Sequence, residues 1–118
     1  MDKEDLIQFW VEEARKDIQK VIKSVQKYID IMKLHRIDIV GVYLFGSYAK
    51  GRATENSDID LAIVTKKFPG DEFDFTLSLM KLARDIDEDI EPHPFLLEDF
   101  TESNPFVYEI IKTSKRLY

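Results

Sequence analysis

The chain begins with a stretch free of glycine and proline, from residue 5 to about residue 34, in which apolar residues recur at Ile7, Val11, Ala14, Ile18, Val21, Val25, Tyr28 and Met32. The steps alternate between four and three, so one face of a helix stays apolar throughout, and the same spacing fits a coiled-coil seam. At 1.5 Å per residue this helix reaches about 45 Å. Its plainest use is to cover one face of a sheet. A helix of that length also overhangs a small domain, so its N-terminal part, with Phe9 and Trp10, is available as a dimer or partner interface. The pattern then changes period. Residues 39–45 (IVGVYLF) and 61–64 (LAIV) are short runs rich in β-branched and aromatic residues, the signature of buried strands. Pro69 and Gly70 read as a turn, after which Phe75, Leu79, Leu82, Ala83 and Ile86 share one face of a helix from about residue 73 to 87. The run EPHPFLL reads as a third strand, which Pro92 and Pro94 confine to an edge or an irregular course. Asn104 and Pro105 read as the cap and first residue of a last helix, with Val107, Ile110, Ile111 and Ser114 on its packing face. Periodicity alone thus gives an α/β fold.

Composition narrows the setting. At 118 residues and 44% hydrophobic, the expectation is one domain spanning 1–118, with residues 1–36 as the long helix and 37–118 as the core. The absence of cysteine excludes disulfides and thiolate metal sites. No apolar run approaches the ~18 residues of a membrane span, and the N-terminus lacks a signal-peptide layout, so a soluble, cytoplasmic protein with no membrane role is expected. A formal charge of -6 argues against tight binding to long nucleic acid. Lys16, Lys20, Lys23 and Lys27 form a stripe that reads as a solvated helix face. Five acids crowd residues 85–91, where acids near a helix C-terminus would oppose the helix dipole; a solvated turn resolves that conflict.

The chemistry lies between the first two strands, in GSYAKGRATENSDID from Gly46 to Asp60. A glycine directly off a strand lets the backbone approach a ligand, and Ser47 is placed to cap a following helix whose N–H groups would attract phosphate. Asp58 and Asp60 lie two apart at the entrance to the second strand. Period two gives both carboxylates one face, while Ile59, Leu61 and Ile63 point to the other and pack. Two like charges so placed repel unless a cation lies between them, and hard oxygen ligands beside a phosphate-binding turn suit magnesium-assisted phosphoryl or nucleotidyl chemistry. Lys50 and Arg52 can reach a triphosphate or simply face solvent. Tyr48 can stack on a base or pack, and Ser57 can fix the loop by hydrogen bonding.

The order Gly46, Ser47, ten intervening residues, Asp58, one residue, Asp60, with Gly51 and the run SDIDL at 57–61, resembles the signature of the minimal nucleotidyltransferases. These are small relatives of the DNA polymerase beta palm. The resemblance implies a small mixed sheet of three or four strands flanked by helices. It also implies an enzyme that moves a nucleoside monophosphate from an NTP, ATP by preference, to a hydroxyl. Asp58, Asp60 and a third carboxylate, Glu91 by order, would be catalytic and would hold two Mg2+ ions. Gly46, Ser47, Lys50, Arg52 and Ser57 would bind the nucleotide. Glu91 departs from the family's usual aspartate, and its longer side chain moves the third carboxylate outward. His93, on the same face as Glu91, reads as a rim or structural histidine, since magnesium prefers oxygen. Minimal members resemble antitoxins paired with helical HEPN-type proteins, so the acceptor hydroxyl is expected on a partner protein. The alternative is a non-catalytic antitoxin or assembly module that forms homo- or hetero-oligomers through the N-terminal helix.

Overall fold

The computed structural model describes residues 3–54 and 57–118, with side chains from Ile18 onward. Helix α1 runs Lys3–Leu34, β1 Ile39–Phe45, β2 Ile59–Thr65, α2 Glu72–Arg84, β3 Ile90–Leu96, α3 Pro105–Thr113 and β4 Lys115–Arg116, with a 3-10 turn at Leu97–Asp99. The sheet order is β3-β2-β1-β4. Strands β1 and β2 are antiparallel, as are β1 and β4, whereas β2 and β3 are parallel, joined by the α2 crossover that parallel pairing requires. The result is a mixed four-stranded sheet flanked by helices, the architecture the resemblance implied.

Both long helices pack on one face of the sheet. Val21, Val25, Tyr28 and Met32 of α1, with Phe75, Leu79 and Ala83 of α2, close over Val42, Leu44, Ile59, Leu61 and Ile63. The described half of the apolar stripe on α1 therefore covers the sheet. The interface expected around Ile7, Phe9, Trp10 and Val11 falls outside the described side chains. Tyr28 is fully buried and its hydroxyl donates to the Leu79 carbonyl at 2.8 Å, tying α1 to α2; burial holds its phenol well above the usual range.

Helix α1 stops without a glycine. Ile37 N–H donates to the Met32 carbonyl and Arg36 N–H to that of Lys33, the Schellman pattern, which leaves Arg36 left-handed at φ 58. Glycine adopts that conformation without a Cβ penalty. Arg36→Gly is therefore expected to raise stability by about 0.5 kcal/mol, the gain being trimmed by the extra freedom of glycine in the unfolded chain. A higher urea midpoint at unchanged slope would show it, and a lower midpoint would overturn it.

Helix α2 departs from its expected span. It starts on Asp71, whose carboxylate accepts from Asp74 N–H at 2.7 Å, and ends at Arg84 rather than residue 87. The chain turns there because Ile86 and Asp87 both donate to the Ala83 carbonyl. Lys81 and Arg84 thus occupy the last turn, favourably for the dipole, and Asp87, Glu88 and Asp89 lie in the turn beyond it. The last helix carries a second correction. Asn104 caps α3 as expected, and Val107 and Ile110 are buried, but Ile111 is 37% exposed and Ser114 is the C-cap, not part of a packing face. Nine residues are too few to carry that face further. Strand β4, which nothing in the pattern signals, follows at once: Leu117 N–H donates to the Val42 carbonyl and the Arg116 guanidinium to that of Val40.

Strand β3 is an edge, as its prolines require. Ile59 N–H donates to the Asp89 carbonyl, so alternation turns the backbone groups of Asp89, Glu91, His93 and Phe95 toward β2 and those of Ile90, Pro92 and Pro94 away from it. The missing proline N–H groups therefore lie on the outer side, where the ladder loses nothing.

Candidate active site

The face of the sheet opposite α1 and α2 carries the site. Register places Asp60 opposite Phe45 on one side and Glu91 on the other, so both carboxylates leave adjacent strands on one face, one strand spacing apart. His93 stands two residues beyond Glu91 and its Nε2 lies 3.3 Å from Asp60 Oδ1. A carboxylate only accepts, so Nε2 carries the hydrogen in this pair. Asp60, Glu91 and His93 each offer a ligand atom, all within 4.8 Å of one another. Asp58 precedes β2 by one residue and is exposed, yet its carboxyl is hydrogen-bonded to Glu91. The three expected acids are therefore brought together, and His93 joins them.

Glu91 shows how the cluster is balanced. Desolvation raises its pKa, the nearby His93 lowers it, and the hydrogen bond with Asp58 and the charges of Asp60 and Asp58 raise it further, with a net upward shift. A hydrogen bond between two carboxyl groups needs a proton on one of them, so the pair resists losing its last proton. A folded-state pKa above the unfolded one contributes stability that is complete below the ordinary glutamate value and is lost as pH rises through the raised value. In metal-free buffer, Glu91→Gln is expected to melt above the wild type at pH 7 and level with it near pH 4. A variant that melts lower at pH 7 would contradict this balance. Three carboxylates that repel when fully ionised, with hard oxygen donors converging, are a donor set that fits a divalent cation.

The glycine turn is built against the same carboxylate. Gly46 takes φ 74, and a Cβ there would collide with the Asp60 side chain. No regular helix follows it: residues 46–51 form successive turns, with Lys50 N–H donating to the Gly46 carbonyl and Arg52 N–H to that of Ser47. Ser47 thus lies within these turns and not at the N-terminus of a regular helix, because Gly51, at φ 69, redirects the chain. Ser57 closes the far end of the loop, accepting from Thr54 N–H at 2.8 Å. Lys50 and Arg52 are exposed, with no ion pair among the described residues, and Tyr48 packs against the core.

An aromatic wall that no local pattern signals flanks the acids. The Phe45 ring lies 5.1 Å from the His93 ring and 6.1 Å from Phe106, and Phe95 lies 6.1 Å from Phe106. Phe106 comes from α3, distant in sequence, and only its folded position links it to the site.

Paired acids at the head of a strand, a third on the parallel neighbour and a positive-φ glycine pressed against the central carboxylate thus stand together on one face of the sheet. The chain belongs to the family described as Polymerase beta, Nucleotidyltransferase, whose profile matches residues 19–118. A relative named "Putative protein adenylyltransferase MJ1305", from Methanocaldococcus jannaschii, is 43% identical over 49 residues, which cover 42% of this chain and 31% of that protein. The chain thus matches less than a third of that relative's length. A solved structure from Sulfolobus solfataricus shares the fold with a TM-score of 0.57 at 18% identity, over 90% of this chain and 83% of its own. A toxin-antitoxin structure determined with AMP-PNP aligns with a TM-score of 0.55 at 26% identity, over 86% of this chain and 72% of its own.

Proposed function

We propose that the chain transfers the adenylyl group of ATP to a hydroxyl on a partner protein, in a magnesium-dependent reaction that releases pyrophosphate. The observation that carries this reading is the convergence of Asp58, Asp60 and Glu91 beside the Gly46 turn. The acceptor oxygen forms a bond to the α-phosphorus as the bond to the β-phosphate oxygen breaks; the hydroxyl proton is lost and pyrophosphate leaves. Asp58, Asp60 and Glu91 are the residues that would hold the metal. Two Mg2+ ions, when bound, would neutralise charge on the transferring group and lower the pKa of the acceptor hydroxyl. The Gly46–Ser47 backbone and the Ser47 hydroxyl would hold the β and γ phosphates, with Lys50 and Arg52 within reach of the tail. Ser57 fixes the loop that carries them. Adenylyl transfer to protein is the chemistry named for the Methanocaldococcus relative, and the toxin-antitoxin neighbour with AMP-PNP supports a nucleotide substrate and a partner protein, which the resemblance makes HEPN-type.

Calorimetric titration of ATP with and without Mg2+ tests this without knowledge of the acceptor. Magnesium-dependent binding is expected in the wild type and not in an Asp58→Asn, Asp60→Asn double variant. No binding by the folded wild type would overturn the reading.

One observation favours a second reading, a non-catalytic antitoxin or assembly module. Helix α1 begins at Lys3, well before the family match at residue 19. Under that reading, polar substitutions at Ile7, Phe9 and Val11 break an oligomer that light scattering would detect, and an unchanged mass would count against it.

A further inference from the structure

Beside the site, along the outer side of β3, runs a groove of about 610 Å³ walled by α2. Glu91 and His93 are among the residues that line it, so its β3 wall includes two members of the acid cluster. Its opposite wall is one stripe of α2, Glu72, Thr76, Met80 and Arg84, spaced by four, and Glu88 stands in the turn beyond.

Two properties specify what fits. The first is backbone chemistry. On the outer side of β3, Ile90 N–H is already given to the Asp87 carbonyl, and Pro92 and Pro94 have none to give. Between Ile90 and Pro94 that edge can accept hydrogen bonds through the two proline carbonyls and donate none, so a strand cannot add to it by a full ladder. The second is charge. On the α2 side Glu72 and Glu88 stand with a single guanidinium, that of Arg84, and none of the three has an ion pair among the described residues. Met80, 40% exposed, supplies an apolar contact in the middle.

We infer that this groove seats the acceptor: an extended, net-basic segment of the partner protein that carries its hydroxyl to Glu91. The inference rests on the adenylyl-transfer reading for the identity of the hydroxyl, while the groove's preference for donors and positive charge stands on its own geometry. The segment is held by its side chains and by N–H groups donated to the proline carbonyls. The acidic turn after α2 thereby has a use beyond solvation, since Glu88 extends the carboxylate-lined wall away from the metal-binding acids.

The experiment uses the full chain and two synthetic probes, a fluorescein-labelled random copolymer of lysine and tyrosine and one of glutamate and tyrosine. Binding is followed by fluorescence anisotropy at about 0.15 M salt, near physiological strength, where the net charge of the protein is largely screened. The basic probe is expected to bind the wild type and the acidic one not to bind. Glu72→Lys with Glu88→Lys should weaken the basic probe by about tenfold or more. Thr76→Trp, which fills the groove without changing charge, should do the same. A charge-matched control, Glu102→Lys with Glu109→Lys on and before α3, should bind as the wild type does. Magnesium-dependent ATP binding should persist in every variant, which reports that each is folded. Groove variants that bind the basic probe as tightly as the control would overturn the assignment, as would equal binding of the acidic probe. Transfer of label from α-labelled ATP separates the two claims. Groove-dependent binding without transfer in any sample leaves the groove and sinks the reaction; transfer undiminished in the groove variants does the reverse.

Discussion

Asp60→Asn is expected to lower adenylyl transfer by about three orders of magnitude while the protein stays folded. The substitution keeps shape and strand register but removes the negative charge at the centre of the cluster, where Asp60 stands between Glu91 across the ladder and the Gly46 turn. It also replaces one acceptor oxygen by an N–H donor, which disturbs the pair with His93 Nε2. The fold should not suffer, because Asp60 contributes repulsion to its neighbours and its hydrophobic flanks, Ile59 and Leu61, point into the core on the other face. Asp58→Asn should act in the same direction through its bond to Glu91. Label transfer from α-labelled ATP, with circular dichroism as the check on folding, measures both, and transfer within about tenfold of wild type for Asp60→Asn would sink the mechanism.

Gly46→Ala should cost about a hundredfold in transfer, the scale expected when a catalytic group is displaced by about 1 Å. Two effects coincide at this position. The φ of 74 is strained for any residue with a Cβ, and the added methyl would meet the Asp60 carboxylate. Gly51 provides the comparison: its φ of 69 is similar, but a Cβ there meets nothing within 4 Å. Both alanine variants should lose about 1 kcal/mol of stability from the backbone conformation. Only Gly46→Ala should lose the larger share of activity. Equal losses of activity in the two would show that the turn, and not the close approach to Asp60, is what matters.

Much of the site could be read along the chain because it depends on local spacing. Asp58 and Asp60 at an interval of two, directly before a β-branched run, are legible as acids at the head of a strand, and Gly46-Ser47 as the turn off the previous one. Glu91 could be matched only by order. What brings it to Asp60 is the parallel register of β2 and β3, a pairing between residues thirty-one apart that no local pattern encodes. His93 was visible as a neighbour of Glu91 by period two, but its partner was not. The expected helix after Ser47 did not form, since the left-handed Gly51 ends the turn that Gly46 begins.

The sequence by itself determined the elements: the apolar stripe of α1, the two central strands, the proline-limited edge and the cap of α3 follow from periodicity and from side chains acting within a few residues of home. Only the tertiary structure decided that Glu91 and His93 stand beside Asp60, that Phe106 of α3 meets Phe45, that β4 closes on β1, and that α2 leaves a carboxylate-lined groove along β3. The physical reason is that periodicity reports which face of an element is buried, and says nothing about which other element buries it or in what register.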